Sequence, residues 1–193
     1  LAERGAQVAI IARVGRPRSQ LPPGVRYTHV GIAVYSTVTT TSQKPLRGYA
    51  LHNLYQQRER SDRSRLVVDF PVDFFAQSEI LEAGIIVPSL ELQVRLLRLI
   101  TSPDYAALHR PAYSLIANPY DLRRQNCTEF VLDVLTAALY QTRDVAQIKA
   151  NERAHFVAHQ PRIGSLKLGL GSLFNAGITT RDHDGDVRLA TFL

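Results

Sequence analysis

Residues 27–36, YTHVGIAVYS, form the clearest strand pattern in the chain and decide its fold class. Side chains of a β-strand alternate between two faces. One face of this strand is therefore apolar, while the other carries His29 together with the small residues Gly31 and Ala33. Small neighbours leave room for another element to approach the imidazole ring. The stretch predicts a half-buried strand that presents a histidine.

Similar patterns run through the rest of the chain. Apolar and β-branched stretches predict strands at residues 7–14, 48–57, 65–69 and 84–87, with a strand-like tail at 187–193. Apolar residues at helical spacing predict helices at residues 89–100, 126–141 and 143–156, and a single helical turn at 73–78. Strands and helices that come in blocks, without βαβ alternation, predict an α+β fold in which an antiparallel sheet packs against a helix.

Length and composition exclude several classes of protein. The 193 residues are 45% hydrophobic and 21% charged, as in a globular protein, and predict a single domain with its core at about residues 7–141 and an extension at 142–193. A single Cys excludes an internal disulfide and a Cys-based zinc site. No apolar run approaches the roughly 18 residues of a membrane span. The net charge of +6 suits an anionic partner, and equally an ordinary solvated surface.

Cys127 lies at the predicted start of a helix. Asn126 before it is a good N-cap residue, and Glu129 follows three residues later, as in a capping box. The positive field at a helix N-terminus favours the thiolate, so we expect the pKa of Cys127 to be lowered. Unpaired N–H groups of the first turn are also natural donors to an oxyanion. This position makes Cys127 a candidate nucleophile.

A nucleophilic Cys requires a base, and His29 is the leading candidate. The residue that orients its ring is expected on the neighbouring strand, where His52 and Asn53 follow each other. A slip of one residue in strand pairing exchanges these two side chains between the faces, so the sequence leaves both open. The alternatives are a buried structural Cys and an ordinary strand His.

Three motifs carry a resemblance to a known family. The segments HVGI at 29–32, ALH at 50–52 and NCTEFV at 126–131 resemble the catalytic segments of NlpC-type papain-like cysteine peptidases. In most of those enzymes the Cys helix precedes the His strand. The reversed order is similar to the circularly permuted branch, which includes lecithin retinol acyltransferase-like proteins.

A closer resemblance covers about residues 8–139 and, weakly, the tail. The first strand, YTH at 27–29, ANPY at 117–120 and QNC at 125–127 are similar to a family of uncharacterised proteobacterial proteins, usually made with a signal peptide. The chain begins at Leu1 rather than Met, which fits removal of such a peptide, although a trimmed chain begins in the same way. The resemblance implies a periplasmic or secreted protein.

The resemblance also implies roles for individual residues. Cys127 becomes the nucleophile, His29 the base and His52 the orienting residue, with Asn53 as the runner-up. The implied activity is a cysteine hydrolase, an amidase or peptidase acting on peptidoglycan peptides or another anionic envelope component. The alternatives are an acyltransferase or thioesterase on lipid or acyl esters, and an inactive binding protein that retains the fold.

Further residues are candidates to line the cleft: Tyr27, Asn53, Asn118, Tyr120, Gln125 and Glu129. Gln125 either donates to an oxyanion, as a Gln before the Cys does in papain relatives, or stabilises its loop. Glu129 replaces the small residue, usually Gly, of the related enzymes, and either crowds the cleft or caps the helix.

Other constellations are weaker. His155 and His159 lack the glutamate of a zinc-peptidase motif, and the acidic stretch at 182–186 lacks the glycine position of a calcium loop. The arginines of residues 58–65 alternate with acidic residues, which does not favour nucleic-acid binding. No phosphate loop or dinucleotide motif occurs, so we expect neither a cofactor nor a metal.

Overall fold

The computed structural model describes residues 1–21, 23–39, 45–161 and 178–191. Its strands are β1 Val8–Val14, β2 His29–Thr39, β3 Pro45–Gln56, β4 Ser64–Asp69 and β5 Ile80–Ile86. Its α-helices are α1 Pro71–Ala76, α2 Leu90–Ile100, α3 Pro103–Ala107, α4 Cys127–Tyr140 and α5 Val145–His155. Two short 3₁₀ turns, Ala2–Arg4 and Arg18–Gln20, precede β2.

The five strands form one antiparallel sheet in the order β4-β3-β2-β1-β5. The predicted α+β class with an antiparallel sheet is confirmed. All seven residues of β1 are buried, since β1 lies between two strands and both of its faces are covered. Among the described residues, the predicted tail strand forms one bridge, between His159 and Leu189, and residues 192–193 lie outside the described part of the chain.

The two faces of the sheet have different cores. On the helix side, Val30 and Ile32 of β2 pack with Leu96 of α2 and Phe130 of α4. On the opposite side, a smaller cluster joins β1, β2 and β3 to Phe74 of α1. The alternation predicted for residues 27–36 is therefore observed.

The end of the sheet where β2 begins positions the site. Pairing of β2 with β3 starts at Gly31, opposite Asn53, so His29 and Val30 are paired only with β1. The N-terminus of α4 lies at this end of the sheet. Among the described residues, none of the helices has the length and apolar character needed to cross a bilayer.

Candidate active site

Cys127 begins helix α4, as predicted. The Asn126 side chain caps this helix: its Oδ1 accepts from the N–H of Glu129 at 2.9 Å, and its Nδ2 donates to the Leu115 carbonyl at 3.1 Å. The predicted N-cap is confirmed. The reciprocal half of a capping box is not formed, since the Glu129 carboxylate binds Arg110 and Lys149 instead.

His29 is held by three side chains. Its Nε2 lies 3.3 Å from Oδ1 of Asn53, its ring stacks on Tyr55 with centroids 4.6 Å apart, and Phe74 lies tilted at 5.5 Å. The Asn53 amide is itself oriented, because its Nδ2 donates to the carbonyl of Leu51 at 2.9 Å. Oδ1 is therefore the atom presented to His29, and an acceptor at that place puts the ring proton on Nε2. Nδ1 is left as the basic nitrogen.

The register between β2 and β3 separates the two candidates for the orienting residue. Asn53 lies opposite Gly31, on the face that carries His29. His52 lies opposite Ile32, on the helix side, where its ring meets Tyr105 edge-on with centroids 5.7 Å apart. The structure thus brings Asn53, rather than His52, to His29.

Cys127 and His29 line one cleft of about 390 Å³ at this end of the sheet. The Cys127 Sγ accepts a hydrogen bond from the backbone of Val30, the residue that follows His29, which brings the sulfur beside the start of β2. Its side-chain contact is Thr128 Oγ1 at 3.9 Å. Among the described residues, no hydrogen bond joins the sulfur to the imidazole directly.

Burial dominates the acidity of the cysteine. Cys127 is only 8% exposed, and its desolvation raises the pKa of the thiol. Hydrogen bonds from Val30 and Thr128 and the charge of Arg13 act in the opposite direction but do not outweigh it. The lowered pKa predicted from the helix field is thus wrong for this structure, because the sulfur lies against the apolar core. Cys127 is a thiol at neutral pH.

The imidazole is neutral as well. Burial, and next the positive charge of Arg13, lower the pKa of His29 to about 3, although the hydrogen bond to Asn53 favours the charged form. A neutral imidazole retains a free lone pair on Nδ1. Cys127 and His29 therefore rest as a protonated thiol and a neutral imidazole.

Two groups near the sulfur can donate to an oxyanion. The N–H of Cys127 is in the first turn of α4 and has no acceptor among the described residues. Tyr113 also lines the cleft, and its hydroxyl has no partner in the described part of the chain. Burial, and then the proximity of Cys127, raise the pKa of Tyr113, so its hydroxyl stays protonated.

The remaining predicted cleft residues lie in three places: the cleft itself, a separate pocket and the buried interior. Tyr27 lines the cleft, and its hydroxyl donates to Glu82 at 3.2 Å. Asn118 and Tyr120 instead border a separate pocket of about 130 Å³. There the Asn118 amide donates to the backbone of Asp182 at 2.9 Å, which makes it a loop-stabilising residue.

Gln125 and Glu129 point away from the cleft. The Gln125 amide donates to Asp133 at 2.6 Å, and its oxygen accepts from the N–H of Arg110 at 2.9 Å. Of the two predicted roles of Gln125, the structure matches the stabilisation of its loop. The side chain of Glu129, in the first turn of α4, is fully buried and is not part of the cleft lining.

Glu129 belongs to a buried ion cluster, which consists of Arg110, Glu129, Asp133, Lys149 and Glu152. Lys149 Nζ contacts the three carboxylates at 2.5–3.0 Å, and Arg110 contacts two of them at 2.7 and 2.9 Å. Desolvation raises the pKa values of Glu129 and Glu152, and their carboxylate neighbours raise them further. The cluster ties α4 to α5 and to the loop that precedes α4.

The weaker metal candidates have structural roles. Helix α5 ends at His155, which stacks on Tyr140, while His159 lies beyond the helix and contacts the Pro23 carbonyl at 3.1 Å. In the acidic stretch, the Asp182 carboxylate accepts from the backbone of Asn118 at 2.9 Å. Within the described ranges, no group of His, Cys, Asp and Glu could hold a metal ion.

Arg13 and Tyr113 also line the cleft, although the sequence did not predict them as site residues. Arg13 lies directly opposite His29 in the β1–β2 pairing, and it is only 5% exposed. The sequence signal that could have indicated Arg13 is its place near the end of the otherwise apolar strand at residues 8–14. No sequence pattern indicated Tyr113, because it lies in irregular chain between α3 and α4.

Comparison with known proteins identifies the family. No curated protein and no solved structure matches the chain. A family model, DUF2145, described as an uncharacterised protein conserved in bacteria, matches residues 1–192. The match covers nearly the whole chain, and the protein therefore belongs to this bacterial family.

Proposed function

We propose that the protein is a cysteine hydrolase in which Cys127 is the nucleophile, His29 the base and Asn53 the residue that orients the base. The observation that carries the proposal is the contact between His29 Nε2 and Asn53 Oδ1 at 3.3 Å, which leaves Nδ1 as the basic nitrogen of a ring that lines the same cleft as Cys127. Nucleophile, base and orienting group form the constellation that activates a thiol.

The reaction begins from the neutral pair. Sγ attacks the carbonyl carbon of the substrate while its proton moves to His29, and the carbonyl oxygen gains negative charge. The N–H of Cys127 and the hydroxyl of Tyr113 donate to that oxygen. The bond to the leaving group then breaks, and the leaving group departs with the proton from His29. The product is a thioester on Cys127.

Hydrolysis of the thioester restores the enzyme. Water attacks the thioester carbon and transfers a proton to His29. The carbon–sulfur bond breaks, and the sulfur recovers the proton as the acid is released. His29 thus acts as base and acid in turn within each half of the reaction.

The proposed fold is a permuted papain-like fold of the NlpC type. Its support is the order of the parts, with the His strand before the Cys helix, and the packing of α4 against the antiparallel sheet. By this likeness we propose an exported protein, active in the periplasm or outside the cell. Amide bonds of peptidoglycan peptides are its first proposed substrate, as fold analogy alone suggests.

A second candidate function is transfer or hydrolysis of acyl esters. It is favoured by the apolar part of the cleft lining, which consists of Leu21, Val25, Leu115, Ile116 and Leu189. The same thioester forms in this case, and an alcohol or amine can replace water as the acceptor. A binding protein that retains the fold without activity is the outcome expected if no substrate reacts.

The test compares wild type with Cys127→Ala on defined muropeptides and on acyl esters, with products identified by mass. Cleavage by wild type alone supports the hydrolase, and the class of cleaved bond separates the two activities. Trapping of a thioester on Cys127 adds the predicted intermediate. If wild type cleaves neither the muropeptides nor the acyl esters and forms no adduct, the protein is not this hydrolase.

A further inference from the structure

Arg13 is a buried cation without an anionic partner. Its guanidinium donates to the carbonyl of Gln77 at 2.7 Å and to Oε1 of the same residue at 3.1 Å, and it also hydrogen-bonds the Tyr55 hydroxyl, so these acceptors are all neutral. Its buried Nε has no hydrogen-bond partner among the described residues. Buried charges are normally paired, because an unpaired one loses its hydration without compensation. In contrast, the cations of the buried ion cluster contact carboxylates.

The guanidinium lies at the reactive end of the cleft. Arg13 faces His29 across the β1–β2 pairing, and its charge acts on both His29 and Cys127. The guanidinium of Arg13 fits here because residue 15 is Gly. A Cβ at that position would come within 2.9 Å of Nη1. The Phe74 ring packs against the guanidinium, with its centroid 5.4 Å from Cζ of Arg13.

The charge of the cleft is one-sided. Two arginines, Arg13 and Arg16, line it, and neither forms an ion pair within the described ranges. The described lining contains no Asp or Glu. A cleft lined by one sign of charge concentrates ligands of the opposite sign. Its ligand is therefore expected to carry negative charge near Cys127.

We propose that Arg13 binds a carboxylate of the substrate beside the carbonyl that Cys127 attacks. The substrate class is an acyl compound, such as a peptide, that has a free carboxylate close to the bond to be cleaved. Guanidinium groups recognise carboxylates with two parallel hydrogen bonds, and the acceptors that Arg13 has in the described part of the chain are neutral, so its charge is left for a ligand to compensate. The choice of substrate rests on the proposed function of Cys127, whereas the binding of an anion by Arg13 does not.

Such a carboxylate also helps the base. The positive charge of Arg13 disfavours the imidazolium form of His29. A bound anion offsets that charge, so His29 accepts the thiol proton more readily when the correct substrate is present. A purely structural Arg13, which only caps the end of α1 and packs on Phe74, has no such dependence on the ligand.

The first experiment compares two alkylating agents of nearly equal size on the single cysteine. Iodoacetate carries a carboxylate, and iodoacetamide carries a neutral amide. The ratio of their rates, normalised to the ratio for free cysteine, is expected to be about tenfold higher in wild type than in Arg13→Met. Arg13→Lys should recover part of the preference. Equal normalised ratios in wild type and Arg13→Met overturn the proposal.

The second experiment does not depend on the thiol. Binding of N-acetylalanine and of its amide to Cys127→Ser is followed by NMR titration, with and without Arg13→Met. The carboxylate is expected to bind about tenfold more tightly than the amide, and only when Arg13 is present. If the two ligands bind equally, the anion site is rejected. A Cys127 that resists both alkylating agents, in a protein that still binds the carboxylate, contradicts the hydrolase alone.

Discussion

The Nε2 atom of His29 lies 3.3 Å from the Oδ1 atom of Asn53, at the point where β3 first pairs with β2. This contact gives the imidazole one orientation and one tautomer, so that the basic nitrogen is on the other side of the ring. The neighbouring histidine, His52, points to the opposite face and meets Tyr105. The two residues are adjacent in sequence, and their different surroundings make them a matched pair for mutation.

Asn53→Ala is expected to slow alkylation of Cys127 by iodoacetamide at least about tenfold, because the reaction rate falls steeply when the base is displaced from its productive position. His52→Ala removes a ring from the other face and is expected to leave the rate unchanged. The second-order rate constants at pH 7 measure both effects, and thermal unfolding shows whether the variants are folded. A larger loss in His52→Ala than in Asn53→Ala contradicts the assignment of Asn53.

A glycine allows the contact between His29 and Asn53. A Cβ at Gly31 would come within 2.3 Å of Asn53 Oδ1, which is closer than any real contact. Gly31→Ala is therefore expected to displace the amide from His29 and to reduce the alkylation rate to the level of Asn53→Ala. Gly48→Ala is the control, because a Cβ at Gly48 meets nothing within 4 Å. Equal alkylation rates in Gly31→Ala and Gly48→Ala would show that the position of the Asn53 amide does not affect the reactivity of Cys127.

The acidity of Cys127 gives a prediction about pH. Burial raises the pKa of its thiol above the ordinary value of 9.0, and the pKa of His29 is lowered to about 3. The ultraviolet absorbance of a Cys127 thiolate is therefore expected to be absent at pH 5–8 and to appear only as the pH rises past 9, because the resting group is a protonated thiol. A preformed thiolate–imidazolium pair instead shows thiolate absorbance between the two pKa values. Thiolate absorbance at pH 5–8 that disappears in His29→Ala would contradict the neutral pair.

Much of this architecture follows from local sequence. Residues 126–141 predicted helix α4 because an N-cap and helical spacing coincide there, and the alternation at residues 27–36 predicted β2 and its two faces. Helix α3 was missed, since five residues are too few to show a helical period. These elements depend on short-range patterns, which a sequence displays directly.

The site depends on long-range pairing, which the sequence does not display. The choice between His52 and Asn53 changes with a slip of one residue, and either residue can orient an imidazole. The burial of Arg13 follows from its cover by α1, about sixty residues along the chain, as its hydrogen bonds to Gln77 show. The same holds for Glu129, whose partner Lys149 lies twenty residues away. An isolated charge in a sequence is normally exposed, so neither burial was predicted.

The buried ion cluster gives a prediction about stability. Lys149→Met leaves the carboxylates of Glu129, Asp133 and Glu152 without their shared cation, and removing one partner of a buried ion pair costs about 3–5 kcal/mol. We expect a loss of this size in the free energy of unfolding, measured by urea denaturation at pH 7. Arg143→Met is the control, because its pair with Asp104 is exposed, and its stability should match wild type. Similar losses in both variants would place the cluster's contribution in doubt.

The same cluster sets the dependence of stability on pH. Burial raises the pKa values of Glu129 and Glu152 from 4.5 in the unfolded chain to about 8 in the folded protein. The folded state therefore binds more protons than the unfolded state between these values, and stability falls as the pH rises through this window. In Glu152→Gln three carboxylates become two, against two cations, so the decline is expected to flatten. Urea denaturation at pH 5, 7 and 9 measures the slope. If wild type is more stable at pH 9 than at pH 5 and Glu152→Gln has the same slope, the pKa values of the buried carboxylates are not raised in the folded state.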